Sequence, residues 1–333
     1  MNEQSGDHRS LQATYRIVAA GPAPVAIIEL MATSDAALDR ALVALEVGTL
    51  PVGGVALRNL CGVDRGVVSR PSSALVHLMP HGGVRIVSLL AAALAAAGIR
   101  EEPSPDPRLV YPEASDEIEA RALDVISRAS SPLAVELLLD QPRRWREPRA
   151  HESARDTQRE LILSRLLRPP LVVGIGATNI GKSTLLNAMA GASVAIVANE
   201  PGTTRDHVGV LLDARGLVVR YLDTPGLRAA AREVPDVEQA AIAASLEAAR
   251  HADLLLLLTD AHAPAIIPPG LDGIPTLVVG LRGDLGPPLT TAEVHVSRLH
   301  VEGAEGASVV LEAIRRRLLP DDVLSDPRPW RFW

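Results

Sequence analysis

Residues Leu171 to Gly191 read LVVGIGATNIGKSTLLNAMAG: an apolar run, a glycine-rich loop and an amphipathic stretch, in that order. The run LVVGI has the length and composition of a buried strand, and the stretch after Lys182 has helical spacing. Between them Gly176-Ala177-Thr178-Asn179-Ile180-Gly181-Lys182-Ser183 fits G-x-x-x-x-G-K-[ST], the P-loop pattern. Glycines let the backbone curl so that successive N–H groups face phosphate oxygens, and the helix N-terminus adds its dipole. In such a loop, which continues into Thr184, Lys182 reaches the β- and γ-phosphates and the Ser183 hydroxyl ligates Mg²⁺.

Working outward, the next motif lies 41 residues beyond Lys182, where VVRYLDTPGLR (Val218 to Arg228) gives a strand ending in Asp223-Thr224-Pro225-Gly226. This is the D-x-x-G of a GTPase switch, in which the aspartate touches Mg²⁺ through water and the glycine N–H senses the γ-phosphate. Between the two sits IVANEPGTTRDHV (Ile196 to Val208), where Thr203-Thr204 can place a hydroxyl on Mg²⁺ when GTP is bound. Three ordered motifs at this spacing predict a GTP-binding α/β domain.

The run from NIGKSTLLNAMAG through PGTTRD and DTPGLR to VEQAAIAASLEAARHADLLLLLTD resembles the G domain of the tRNA-modification GTPases of the TrmE (MnmE) type. The match spans about Leu171 to Leu319. Farther upstream, VHLMPHGG and ASDEIEARALDVISRASS are similar, more weakly, to the end of that family's folate-binding N-terminal domain and the start of its helical domain. The resemblance implies a Mg²⁺- and K⁺-dependent GTPase. Asn179 takes the place of the K⁺-holding asparagine, and Thr203 with backbone groups over Ala198, Asn199, Glu200, Pro201 and Gly202 completes that site. Thr204 takes the place of the Mg²⁺ threonine and Glu238 that of the water-orienting glutamate. The pathway implied is modification of the tRNA wobble uridine with a flavin-dependent partner protein, by a homodimer formed through the N-terminal domain.

Several positions depart from the family pattern. Guanine recognition in this class uses N-K-x-D after an apolar strand, whereas TLVVGLRGDL (Thr276 to Leu285) keeps only Asp284, with Leu281 and Arg282 in place of Asn and Lys. Asp284 still accepts from guanine N1 and the 2-amino group, and the planar Arg282 can stack on the purine. Ser297 resembles the last guanine loop but precedes Arg298 instead of alanine. The arginine of the family's folate loop is absent from Gly21-Pro22-Ala23-Pro24, and His77 stands at an acidic position, which puts folate binding in doubt. A C-terminal cysteine motif is also missing, because Cys61 is the chain's one cysteine. Two other readings of the same motifs are a ribosome-assembly GTPase resembling Era, which should carry an RNA-binding appendage, and a nucleotide-bound scaffold without activity.

Composition narrows the classes further. Forty acidic residues against 33 basic, a net charge of −7, argue against nucleic-acid binding by broad phosphate neutralisation. Among the 33 basic residues Lys182 is the single lysine. Aromatic residues make up 2% of the chain, too few for a base-stacking platform. One cysteine excludes an intrachain disulfide or a multi-cysteine metal site and suits a reducing cytoplasm. No segment reads as a signal peptide or a bilayer span.

The rest of the chain sets the organisation. YRIVAAGPAPVAIIEL (Tyr15 to Leu30) predicts two strands around a turn, and Ser34 or its neighbours cap a helix to about Val47. Leu50 to Val68 reads as β structure, and Val76 to Ile99 as strand, His81-Gly82-Gly83 turn and helix. Four prolines in Glu101 to Ser115 mark a boundary. Helices are expected from Asp116, over about Pro132 to Asp140, and over about His151 to Leu167, with QPRRWREPRA breaking the pattern. Eight arginines against four acids in Gln141 to Arg168 read as a solvated helix face or, in the alternative, an RNA-phosphate contact. The expected architecture is a small α/β N-terminal domain (1–110), a short helical segment (111–168), and a P-loop GTPase domain with a mostly parallel sheet flanked by helices (169–320). A tail (321–333) ending in Trp330-Arg331-Phe332-Trp333 either docks on the helical segment or binds a partner.

Overall fold

A computed structural model of the protein describes residues 11–19, 23–147, 156–192, 209–224, 246–297 and 304–333. The chain divides into two compact units, Met1–Asp124 and Val125–Trp333.

The first unit is built on a six-stranded sheet. Strands β1 (Ala13–Ala19), β2 (Ile27–Ala32), β3 (Val55–Leu60), β4 (Asp64–Ser69), β5 (Leu75–Met79) and β6 (Arg100–Glu101) lie in the order β3-β4-β5-β2-β1-β6. All neighbours are antiparallel except β1 and β6. Helix α1 (Asp35–Ala44) starts where Ser34 Oγ accepts from the Ala37 N–H, and its Ala37, Leu38, Ala41 and Leu42 stripe is buried. With α2 (Val84–Ala96) it covers one face, over Tyr15, Ile28, Leu30, Val76 and Leu78. On the other face Val110, from the short α3 (Pro107–Val110), packs with Met31 and Leu75. There Arg16 is paired with Glu29 at 2.8 Å and with Asp124 at 2.9 Å, the latter from α4 (Glu117–Ile126). Farther along, the β3–β4 ribbon leaves Val55, Leu57 and Val67 exposed.

The second unit contains the expected P-loop domain. Strands β7 (Leu171–Ile175), β8 (Val210–Ala214), β9 (Leu217–Asp223), β10 (Leu254–Thr259), β11 (Thr276–Leu281) and β12 (Val294–Val296) are ordered β12-β11-β10-β7-β9-β8. Every pair is parallel except the β8–β9 hairpin. Strand β10 is buried at all six positions, as its five consecutive leucines require of a central parallel strand. In a doubly wound sheet of this kind ligands bind beyond the C-terminal strand ends, which places β7, β9, β10 and β11 around one site.

The helical segment departs from the sequence expectation at one point. Helix α5 (Pro132–Trp145) does not end near Asp140 but continues through Pro142. A proline there costs the helix one N–H, and contacts to the C-terminal tail hold the extra turn. Gln141 Oε1 accepts from the Trp330 N–H at 2.6 Å, and Trp145 Nε1 donates to the Trp330 carbonyl at 3.1 Å. The helix expected over about His151–Leu167 is described as α6 (Thr157–Ser164), capped by Asp156, and residues 151–155 lie outside the described set. Arg159 on α6 is buried and gives its guanidinium to the carbonyls of Pro329 and Arg328. Arg144 donates to the Asp326 carbonyl at 2.7 Å. Two of the eight clustered arginines therefore strap the tail down, and their face is not simply solvated. Helix α8 (Ala304–Leu318) precedes that tail, α9 (Asp321–Leu324) begins it, and α7 (Lys182–Ala192) belongs to the site. No described helix is long and apolar enough to cross a membrane.

Candidate functional site

The P-loop leaves β7 at Ile175 and enters α7 at Lys182. Its shape depends on residues that tolerate unusual backbone. Gly181 has φ +110° and Asn179, a non-glycine in the left-handed region, has φ +63°. At Gly176 a Cβ would lie 3.0 Å from Leu258 Cβ and 3.1 Å from Ile180 Cγ2, so β10 packs directly beneath the loop. Ile180 is buried on that floor. The loop is thus closed over apolar side chains, and the Ile180 N–H donates to the Ala177 carbonyl at 3.3 Å within it.

Lys182 is buried, and its ammonium donates to the carbonyls of Gly176 at 3.2 Å and Ala177 at 3.0 Å. Burial pushes its pKa below the ordinary lysine value, against the pull of the Asp223 carboxylate. The ammonium therefore sits folded across the loop it would serve. Ser183 Oγ donates to Asp223 Oδ2 at 2.9 Å, joining the first turn of α7 to the end of β9. Asp223 Oδ1 is buried with no hydrogen-bond partner. A hydroxyl and a carboxylate with a spare buried lone pair form a hard oxygen donor set, which fits Mg²⁺. Thr224 Oγ1 donates to the Gly174 carbonyl at 2.7 Å and so locks the β9 end onto β7.

At the base end the sequence-derived residues also converge. Arg282 has φ +53°, and Asp284 sits in the single 3₁₀ turn Gly283–Leu285, exposed at its carboxylate. A Cβ on Gly283 would lie 3.0 Å from Ser297 Oγ, so the two base loops touch. Leu281 is buried, and its Cδ1 lies 3.6 Å from where a Cβ on Gly181 would be, an apolar join between base loop and P-loop.

Two residues near this site carried no functional reading in the sequence. Tyr221 is fully buried against Gly174, where a Cβ would overlap its Oη, and burial raises its pKa above the ordinary tyrosine value. Asp260, the residue after β10, has zero exposure and pairs with Arg282. An acid closing a run of five leucines was the one available signal. Ala198, Asn199, Glu200, Pro201, Gly202, Thr203 and Thr204, with Pro225, Gly226 and Glu238, lie outside the described residues. Among the described residues no cluster of three or more His, Cys, Asp or Glu side chains forms a metal site. In the first unit His77 is half-buried, with its Nε2 3.8 Å from Glu29.

Residues 171–272 match the family described as 50S ribosome-binding GTPase. The tRNA modification GTPase MnmE of Acidiphilium cryptum is 39% identical over 158 residues, covering 47% of this chain and 35% of that protein. A protein of the same name from Thermus thermophilus is 35% identical over 213 residues, covering 61% of this chain and 46% of its own. That share exceeds what lies between Pro169 and Trp333, so the likeness runs upstream of the P-loop domain. Among solved structures, a variant of Era from Aquifex aeolicus bound to GDP and AlF₄⁻ is 24% identical over 44% of this chain and 46% of that one, with a TM-score of 0.26. The chain spans less than half the length of the two MnmE proteins.

Proposed function

Proceeding from a P-loop GTPase domain of the MnmE type, we propose that this chain binds guanine nucleotide and hydrolyses GTP with Mg²⁺ and K⁺. The observation that carries the reading is the junction of Lys182, Ser183 and Asp223 at the adjacent ends of β7 and β9. Ser183, Asp223 and Thr204 would hold Mg²⁺, which when bound neutralises charge between the β- and γ-phosphates. Asn179, Thr203 and the backbone of 198–202 would hold K⁺, which would supply positive charge in place of an arginine finger. Lys182 exchanges the carbonyls of Gly176 and Ala177 for phosphate oxygens and keeps its proton. Asp284 accepts from the guanine edge, Ser297 borders it, and Glu238 orients the attacking water.

Single-turnover hydrolysis in KCl against NaCl tests the chemistry. Faster turnover in KCl is expected, and equal, negligible rates in both salts would refute it. For the cellular role we propose tRNA wobble-uridine modification with a flavin-dependent partner, in line with the name of the MnmE relatives. Loss of that modification in a strain deleted for this protein is the expected result, and unchanged tRNA refutes the role while leaving the GTPase reading intact. Homodimerisation through the first unit is supported by the exposed Val55, Leu57 and Val67 face, with Leu57 and Val67 directly paired across the ribbon. Charged substitutions on that face should give a monomer in sedimentation. We place the protein in the cytoplasm and keep folate out of the proposed ligand set.

A further inference from the structure

Asp260 is a fully buried carboxylate with a partner on each oxygen. Its Oδ1 accepts from the N–H groups of His262 and Ala263, both at 2.8 Å, and its Oδ2 accepts from the Arg282 guanidinium. Its own N–H donates to the Ala263 carbonyl at 3.0 Å, and its carbonyl accepts from the Leu289 N–H at 2.8 Å. One residue thereby ties the end of β10, the Arg282–Asp284 turn and the loop after it. Burial alone would raise its pKa, yet the two amides and the guanidinium outweigh burial and hold it below the ordinary aspartate value. The carboxylate stays charged at neutral pH.

Arg282 is the exposed partner of that buried acid. Its side chain is 41% exposed, yet its Nη2 is held by a carboxylate with zero exposure, and its Nε is buried without a hydrogen-bond partner. A guanidinium is flat, and anchoring one of its nitrogens limits the swing of a group whose face can stack on a ring. The left-handed backbone at Arg282 leads directly into the 3₁₀ turn that carries Asp284. Leu281, one residue before, faces the P-loop.

We propose that Asp260 is a positioning residue for the nucleobase: it holds Arg282 as a fixed plate for the purine face, while Asp284 reads the purine edge. This rests on the guanine-nucleotide reading above. It divides the base end into two functions that separate experimentally, because a plate is indifferent to ring substituents and an edge reader is not.

The test compares wild type with Asp260→Asn, Arg282→Ala and the double variant, by calorimetry in Mg²⁺ with GDP, IDP and XDP, and with inorganic tripolyphosphate, which has no base. Asp260→Asn is expected to weaken GDP, IDP and XDP by one common factor of about tenfold, the size of a lost charge-fixed stacking contact. Tripolyphosphate binding should be unchanged, which a variant that merely loosens the fold would not achieve. Arg282→Ala should match Asp260→Asn, and the double variant should be no worse than either. Wild-type GDP affinity in Asp260→Asn, a loss that differs between purines, or additive losses in the double variant would overturn the proposal. Failure of the wild type itself to bind GDP would overturn the guanine-nucleotide reading and this proposal with it, an outcome distinct from any of those.

Discussion

The phosphate end and the base end of the nucleotide site are held by different kinds of interaction, although barely one strand separates them. At the proposed phosphate end recognition falls to backbone amides, shaped by Gly176, Asn179 and Gly181, with Lys182 as the side-chain cation among the described residues. At the proposed base end recognition falls to side chains, and Arg282 among them is held by an ion pair whose buried acidic half lies just past another strand. Backbone recognition requires particular residues at particular spacings. Side-chain recognition requires only that some pair of residues meet, so its members are free to change together.

That contrast can be broken from the phosphate side first. Lys182→Ala should lower affinity for GDP by on the order of 100-fold, since charge-assisted hydrogen bonds of about 1.5–3 kcal/mol are lost and no second lysine is present. Direct titration with a fluorescent GDP analogue decides this, and a loss below tenfold would mean that the amides alone suffice. The base side offers the next largest effect. Asp284→Asn should reverse preference between GDP and XDP by at least about tenfold, because the amide donates where the carboxylate accepted. An unchanged ratio would show that the edge is read elsewhere.

Smaller effects sharpen the comparison. Gly174→Ala should destabilise the domain by about 1–3 kcal/mol, because the new Cβ overlaps Tyr221 Oη and lies 2.8 Å from its Cζ. Adding Tyr221→Phe should restore part of the loss, measured by urea unfolding, since only one of the two clashes is removed. The smallest effect concerns acid. A carboxyl held below its ordinary value of about 3.9 contributes stability that is complete above that pH and is lost as pH falls through the folded value. Asp260→Asn should therefore show a shallower loss of stability than wild type between pH 5 and about 3. A parallel decline would mean that the Asp260 pair contributes nothing to folding.

How much was legible beforehand follows the same division. The P-loop, its flanking strand and helix, and the meeting of Ser183 with Asp223 could be read from spacing, because each depends on local backbone chemistry. The first unit's strand–turn–helix segments were legible from apolar alternation and the Ser34 cap. The role of Asp260 was not, because its partner lies 22 residues away on a neighbouring strand end. Pro142 misled in the opposite direction. A local rule ended α5 early, and contacts with a tail 189 residues on in sequence overrode it. Arg159 belongs to the same class: its charge suggested solvent, and its burial is explained only by the carbonyls of Arg328 and Pro329.

The docked tail also fixes what light can report. The chain has three tryptophans, and all of them, Trp145, Trp330 and Trp333, belong to this one corner. Trp145 and Trp333 have ring centroids 5.2 Å apart, and Phe332 lies 5.8 Å from Trp330 and 5.0 Å from Trp333. Emission excited at the red edge of protein absorption therefore comes from a single packed cluster on α5, with no indole at the P-loop. A spectral shift on adding nucleotide would be a signal carried from the P-loop to the docked tail, recorded without any attached dye.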